Sequence, residues 1–143
     1  MATAYTQKFR VQHGELLNVV KGIVQQLEAD KLRADAKEAR HLLSVLHGKL
    51  SVHLAMEDKS LYPRLLRHHD SEIRATTQRY MEEMGSLAGA FKAYIERWPT
   101  PSAIQADPET FITETGGVFE ALGKRVQQEN EELYVLADEQ QAA

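Results

Sequence analysis

The chain has 143 residues, enough to bury a real core, and residues 1–143 are read as one domain. Charged residues make up 27 %, aromatics 7 %, and the net charge is -4 with no basic stripe, which excludes an electrostatic nucleic-acid binder. The lack of cysteine excludes disulfides, iron–sulfur clusters and thiolate zinc sites.

No apolar run reaches the length of a membrane span. Met1 to Thr6 lacks a signal-peptide hydrophobic region, so the expectation is a cytoplasmic chain with no membrane partner. The first periodic segment carries Phe9, Leu16, Leu17, Val20, Ile23, Val24 and Leu27 at helical spacing, with His13 on the same face, and predicts a helix over 5–30. Asp30 to Asp35 reads as a connection, and Asp35 with Glu38 as a capping box.

A second helix is predicted over 35–66, with Leu42, Leu43, Leu46, Leu50, His53, Glu57, Leu61 and Leu65 facing inward. His53 and Glu57, four residues apart, lie one above the other on that face. A buried carboxylate must be paired, hydrogen-bonded or bound to metal. Alone, His-x-x-x-Glu is a common helix-surface pair and specifies little. Pro63 can kink or stop this helix. His41 and His47 lie off the stripe and are read as solvent-facing, while His68 and His69 fall in a loop capped by Asp70 or Ser71.

The third helix, predicted over 71–98, carries Tyr80, Met81, Met84, Leu87, Ala88, Phe91, Tyr94, Ile95 and Trp98. Pro99 to Pro108 reads as a long connection, with Asp107-Pro108 opening the next helix. The fourth helix, predicted over 108–137, buries Phe111, Ile112, Val118, Phe119, Leu122, Val126, Leu133 and Leu136. Gly116-Gly117 inside it marks either a kink or a close helix contact. The tail from Asp138 to Ala143 is expected to fray. The pattern predicts an all-α, antiparallel up-down-up-down four-helix bundle.

Glu57-Asp58-Lys59-Ser60-Leu61-Tyr62 matches Glu129-Asn130-Glu131-Glu132-Leu133-Tyr134 at Glu, Leu and Tyr with identical spacing. The chain therefore reads as two helical hairpins related by an approximate two-fold. Glu57 and Glu129 both fall on apolar stripes, and two inward carboxylates repel unless a cation lies between them.

With His13, His53-x-x-x-Glu57, Leu61-Tyr62-Pro63, Glu129 and Leu133-Tyr134, the sequence resembles the hemerythrin-like, HHE-type cation-binding family from His13 to Leu136. The resemblance implies a di-iron centre inside a four-helix bundle, held by histidines and bridged by the two carboxylates, with oxygen-binding, sensing or redox roles. It also implies the ligand set His13, His53, Glu57 and Glu129.

The chain departs from that pattern on one side of the repeat. Where the third helix supplies histidines it has Tyr80 and Met84, and where the fourth has one before its Glu it has Arg125. Arginine has no lone pair to offer a metal, but its cation can neutralise and bond carboxylates. Met84 reads as core filler, since its thioether suits iron poorly. Tyr80 is either a phenolate ligand or a packing residue with its hydroxyl on a partner. Arg125 is expected to point inward and bond Glu129, Glu57 or both; the alternative is that it snorkels outward while Val126 takes the inner position.

Three functions follow. The chain is a metal-binding or sensor domain with one iron or zinc; or a metal-free bundle held by Arg125, acting as an interaction module for a protein partner or a second copy; or a full di-iron oxygen protein. No nucleophile or substrate site is read, so an enzyme is not the reading taken.

Overall fold

A computed structural model describes residues 2–142 and is helical throughout, apart from short connections and caps. Helix α1 runs Ala4–Val24, α2 Ala29–Ala34 and α3 Lys37–Met56. A π turn over Glu57–Leu61 leads straight into α4, Tyr62–Leu66. Then come α5, Ser71–Arg97, and α6, Pro101–Ala106. Helix α7, Pro108–Gln128, passes through a second π turn over Glu129–Leu133 into α8, Tyr134–Ala142. The helical path from Lys37 to Leu66 is thus continuous, and so is that from Pro108 to Ala142. Among the described residues no helix is long and apolar enough to cross a membrane.

Several sequence expectations need correction. The first helix stops at Val24, which is 53 % exposed, and Asp30 to Asp35 is mostly the separate helix α2. Leu32 explains why: its side chain is fully buried, and one helical turn is needed to drive it into the core. The long connection after Pro99 likewise holds α6, capped by Thr100 and anchored by buried Ile104. The capping box does not form, because Asp35 accepts from Lys37 N at 2.9 Å and Ala36 stands at the N-cap. Asp70 and Asp107 do cap α5 and α7.

Gly116 and Gly117 mark neither a kink nor a contact. They lie on the exposed side of unbroken α7, and a Cβ at either would meet nothing within 4 Å. Their cost is therefore purely conformational, and Gly116→Ala with Gly117→Ala is expected to raise stability by about 1–2 kcal/mol in denaturant melts.

The expected fraying does not start at Asp138. Its carboxylate is 5 % exposed and accepts from Thr3 N, Thr3 Oγ1, Thr6 Oγ1 and Arg10 Nη2, tying α8 to the start of α1. Burial alone would raise this carboxyl, but the bonds from Thr6, Thr3 and Arg10 outweigh it and hold it below the usual range. Ala143, also placed in the fraying tail, lies outside the described residues.

The core divides into two apolar clusters. One gathers Leu16, Leu43, Leu46, Leu50, Phe91 and Leu122 with α2 and α6 at its end. The other gathers Phe9, Leu61, Tyr62, Tyr80, Leu133 and Tyr134. Between them lies a buried polar layer, because on three helices a polar residue follows or precedes the apolar ones at helical spacing: His13 between Phe9 and Leu16, His53 and Glu57 between Leu50 and Leu61, Arg125 and Glu129 between Leu122 and Leu133.

Candidate metal centre

His13, His53, Glu57 and Glu129 meet in this layer, each 2 % exposed or less. One donor atom from each lies within 4.8 Å of all the others. His13 Nε2 is 3.1 Å from His53 Nε2 and 2.8 Å from Glu129 Oε1. His53 Nε2 is 3.3 Å from Glu57 Oε2 and 3.7 Å from Glu129 Oε1.

The far nitrogens of both rings are held from outside. His13 Nδ1 lies 2.9 Å from Asn130 Oδ1, and His53 Nδ1 lies 2.6 Å from Gln12 Oε1. An amide oxygen only accepts, so each Nδ1 carries a proton and donates it. Each Nε2 is thereby left to face the carboxylates, the arrangement that outer partners impose on metal-binding histidines.

Arg125 points inward. Its Nε donates to Glu129 Oε2 at 3.1 Å, and its Nη2 donates to the Tyr80 carbonyl at 2.7 Å. The guanidinium also lies over the Tyr80 ring, 4.5 Å from its centroid. Val126 is buried too, in the neighbouring apolar cluster, so the arginine does not need to yield its place to it. Arg125 does not bond Glu57; of the two carboxylates it pairs with Glu129, while Tyr80 holds its other end.

Tyr80 therefore carries the arginine. Its hydroxyl donates to Gln128 O at 3.2 Å, away from the four donors, so the phenolate alternative for this residue has no geometry behind it. Met84 lines a cavity of about 10 Å³ beside His13, His53, Arg125 and Glu129. That space is no larger than one water needs. His41 and His47 are exposed as expected, and His68 and His69 stack on each other at 4.5 Å far from the centre in sequence.

The charges sort themselves. Burial would lower the His53 imidazole, but its bonds to Glu129 and Glu57 raise it to about 9. Burial would raise Glu129, but bonds from His13 and His53 and the Arg125 charge bring it to about 2. Glu57 goes the other way: burial, reinforced by the Glu129 charge, raises it despite the bond to His53. Two carboxylates in one pocket thus split, with Glu129 ionised and Glu57 bearing the cost of burial.

Four participants were not among the sequence candidates. Tyr134 Oη lies 2.8 Å from Glu57 Oε2, 3.0 Å from His13 Nε2 and 3.2 Å from His53 Nε2. Tyr62 Oη lies 3.5 Å from both Glu57 Oε1 and Arg125 Nη2. Gln12 and Asn130 hold the rings. The tyrosines come five residues after the glutamates, which on an α-helix would turn them roughly 140° away. The π turns close that angle: Tyr62 N bonds Glu57 O, and Tyr134 N bonds Glu129 O, both spanning five residues. The repeated Glu-x-x-x-Leu-Tyr was the available signal. Val135 stands where Pro63 stands, so proline is not the cause of the turn.

The donor set fits a metal ion. A tetrahedral ion with bonds of about 2.0–2.1 Å spaces its donors about 3.3–3.4 Å apart, and the observed separations bracket that value. Two imidazoles and two carboxylates suit iron or zinc. Asn130→Ala is expected to weaken metal affinity roughly 10–100-fold by freeing the His13 ring, measured by competition with a chelator.

Comparison with curated proteins finds no match, and neither does comparison with solved structures. The family model described as Hemerythrin HHE cation binding domain matches residues 5–137. That span contains the whole buried His/Glu cluster and both π turns, so the chain belongs to the hemerythrin HHE cation-binding domain family.

Proposed function

We propose that this chain is a hemerythrin-like metal-binding domain that holds a single iron or zinc ion through His13, His53, Glu57 and Glu129. In this reading the four long helical paths form one antiparallel up-down-up-down bundle, and the domain serves sensing or regulation. The observation that carries it is the Arg125 guanidinium against Glu129 Oε2, a cation on the side of the carboxylate that faces away from the imidazoles. A cation needs no second there, and Met84 beside it offers a soft thioether to a hard ion.

The metal-free reading has its own support. None of the cluster's side-chain nitrogens and oxygens is among the buried atoms lacking a hydrogen-bond partner. The cluster can therefore stand closed by His53, Arg125 and Tyr134, and the domain would then act through its surface on a protein partner.

Anaerobic titration of the protein with ferrous iron, and separately with zinc, followed by elemental analysis, distinguishes these readings. One ion per chain is expected. Two irons per chain with a stable peroxo-type band in air would favour a dinuclear oxygen-binding centre, and no uptake of either metal would favour the metal-free module.

A further inference from the structure

We propose that the Tyr134 phenol oxygen is a fifth donor of this centre, making an N₂O₃ set that takes ferric iron. The inference rests on the single-ion reading above and adds the identity of the ion. Tyr134 Oη lies 2.8 Å from Glu57 Oε2, 3.0 Å from His13 Nε2, 3.2 Å from His53 Nε2 and 3.3 Å from Glu129 Oε1. It is thus a near neighbour of every donor in the cluster. Around one five-coordinate ion with bonds of about 2.1 Å, neighbouring donors lie about 3.0–3.6 Å apart and an opposed pair about 4.2 Å, and the distances from Tyr134 Oη match the neighbouring range to within a few tenths.

The ring is fixed in place. Tyr134 is fully buried, stacks on His13 at 5.2 Å and packs on Phe9 at 5.6 Å. The π turn that begins at Glu129 aims it, so the same backbone irregularity delivers a carboxylate and a phenol to one point. The other tyrosines stand differently. Tyr62 Oη reaches one donor residue, Glu57, at 3.5 Å and shares that contact with Arg125 Nη2, whereas Tyr80 donates to Gln128 O, Tyr5 bonds Ser60, and Tyr94 bonds Thr115.

A hard, trivalent ion is the one that phenolate oxygen favours, and tyrosine is an established ligand type for iron. Coordination exchanges the phenol O–H bond for an iron–oxygen bond and releases that proton to the buffer. Iron supplied as ferric stays ferric, so no oxidant enters.

The test loads the full chain with ferric iron from its nitrilotriacetate complex, removes the excess, and records iron content with visible and resonance Raman spectra. Wild type, Tyr62→Phe and Tyr80→Phe are expected to show a phenolate-to-iron charge-transfer band with tyrosinate vibrations. Tyr134→Phe is expected to lose both while keeping iron near one per chain. If Tyr134→Phe does not fold, persistence of the band in the other two variants assigns it, because Tyr5 and Tyr94 bond away from the centre. Iron bound to wild type without the band overturns the role of Tyr134 and leaves the single-ion reading intact. Persistence of the band in folded Tyr134→Phe, or its loss in Tyr62→Phe or Tyr80→Phe with iron retained, also overturns that role alone. No iron bound at all overturns both.

Discussion

Arg125→Ala is expected to cost about 3–5 kcal/mol at neutral pH in metal-free buffer, because it removes the cation from a buried ionised carboxylate and leaves its Oε2 without the arginine's bond. The guanidinium is 5 % exposed, bonds Glu129 Oε2 at 3.1 Å and is itself held by the Tyr80 carbonyl and ring. Its Nε and Nη2 both donate to buried acceptors, Glu129 Oε2 and the Tyr80 carbonyl. The loss depends on pH in a defined direction. Glu129 is drawn below its unfolded value to about 2 by His13, His53 and Arg125 acting against burial. A depressed carboxyl contributes stability that is present above the unfolded pKa and lost as pH falls through the folded one. The gap between wild type and Arg125→Ala should therefore be full at neutral pH, narrow below about pH 4.5, and nearly close toward pH 2. In that acid range wild type also keeps a buried guanidinium whose carboxylate partner has become neutral, which closes the gap further. Urea melts of both proteins across this range measure it. An alanine variant as stable as wild type at neutral pH would remove the arginine from its role as the second cation. Arg125→His is a separate arm: it replaces a cation by a ligand, and metal uptake above one ion per chain is its expected result.

Metal binding is expected to produce the second large effect. An ion that binds only the folded chain, present at about 1,000 times its dissociation constant, adds about 4 kcal/mol. For a domain of this size that corresponds to a rise in melting temperature of roughly 8–16 °C. A chelator should reverse it. His53→Ala should abolish it, since that imidazole supplies the one nitrogen lying within 3.3 Å of Glu57 and 3.1 Å of the other imidazole. Calorimetric scans with zinc, with ferrous iron under argon, and with chelator report the shift directly. A wild-type melting temperature indifferent to metal would count against the centre as a metal site, and an undiminished shift in His53→Ala would place the ion elsewhere. Glu57 and Glu129 repel each other in the metal-free layer, so a divalent cation relieves a conflict already present in the fold.

The two experiments bear on different halves of the layer. Arg125 stands on the Glu129 Oε2 side, whereas the imidazoles and Tyr134 meet Oε1. One carboxylate therefore has a fixed protein cation on one oxygen and the open donor set on the other. A double variant, Arg125→Ala with His53→Ala, would show whether the two halves couple through Glu129, since residues sharing one partner do not add independently.

What the sequence determined by itself was the set of faces. Helical spacing is local, so the stripe through Leu46, Leu50, His53, Glu57 and Leu61 placed a histidine and a glutamate inward before any neighbour was known, and all five are buried. The match of Glu57-to-Tyr62 with Glu129-to-Tyr134 located the second carboxylate in the same way. Capping at Asp70 and Asp107 was also legible, because the bond runs only two or three residues along the chain. The tertiary structure decided the rest. The π turns shift the frame by one residue, and only that shift aims Tyr62 and Tyr134 at the centre. Asn130 and Gln12 orient histidines 117 and 41 residues away, contacts that no local pattern encodes. The stripe and the need of two core carboxylates for a cation pointed Arg125 inward, but spacing alone left Val126 as an alternative for the inner position. The choice fell to charge: Glu129 and the Tyr80 carbonyl, brought together from two different helices, supply acceptors that buried guanidinium requires and that solvent would otherwise provide.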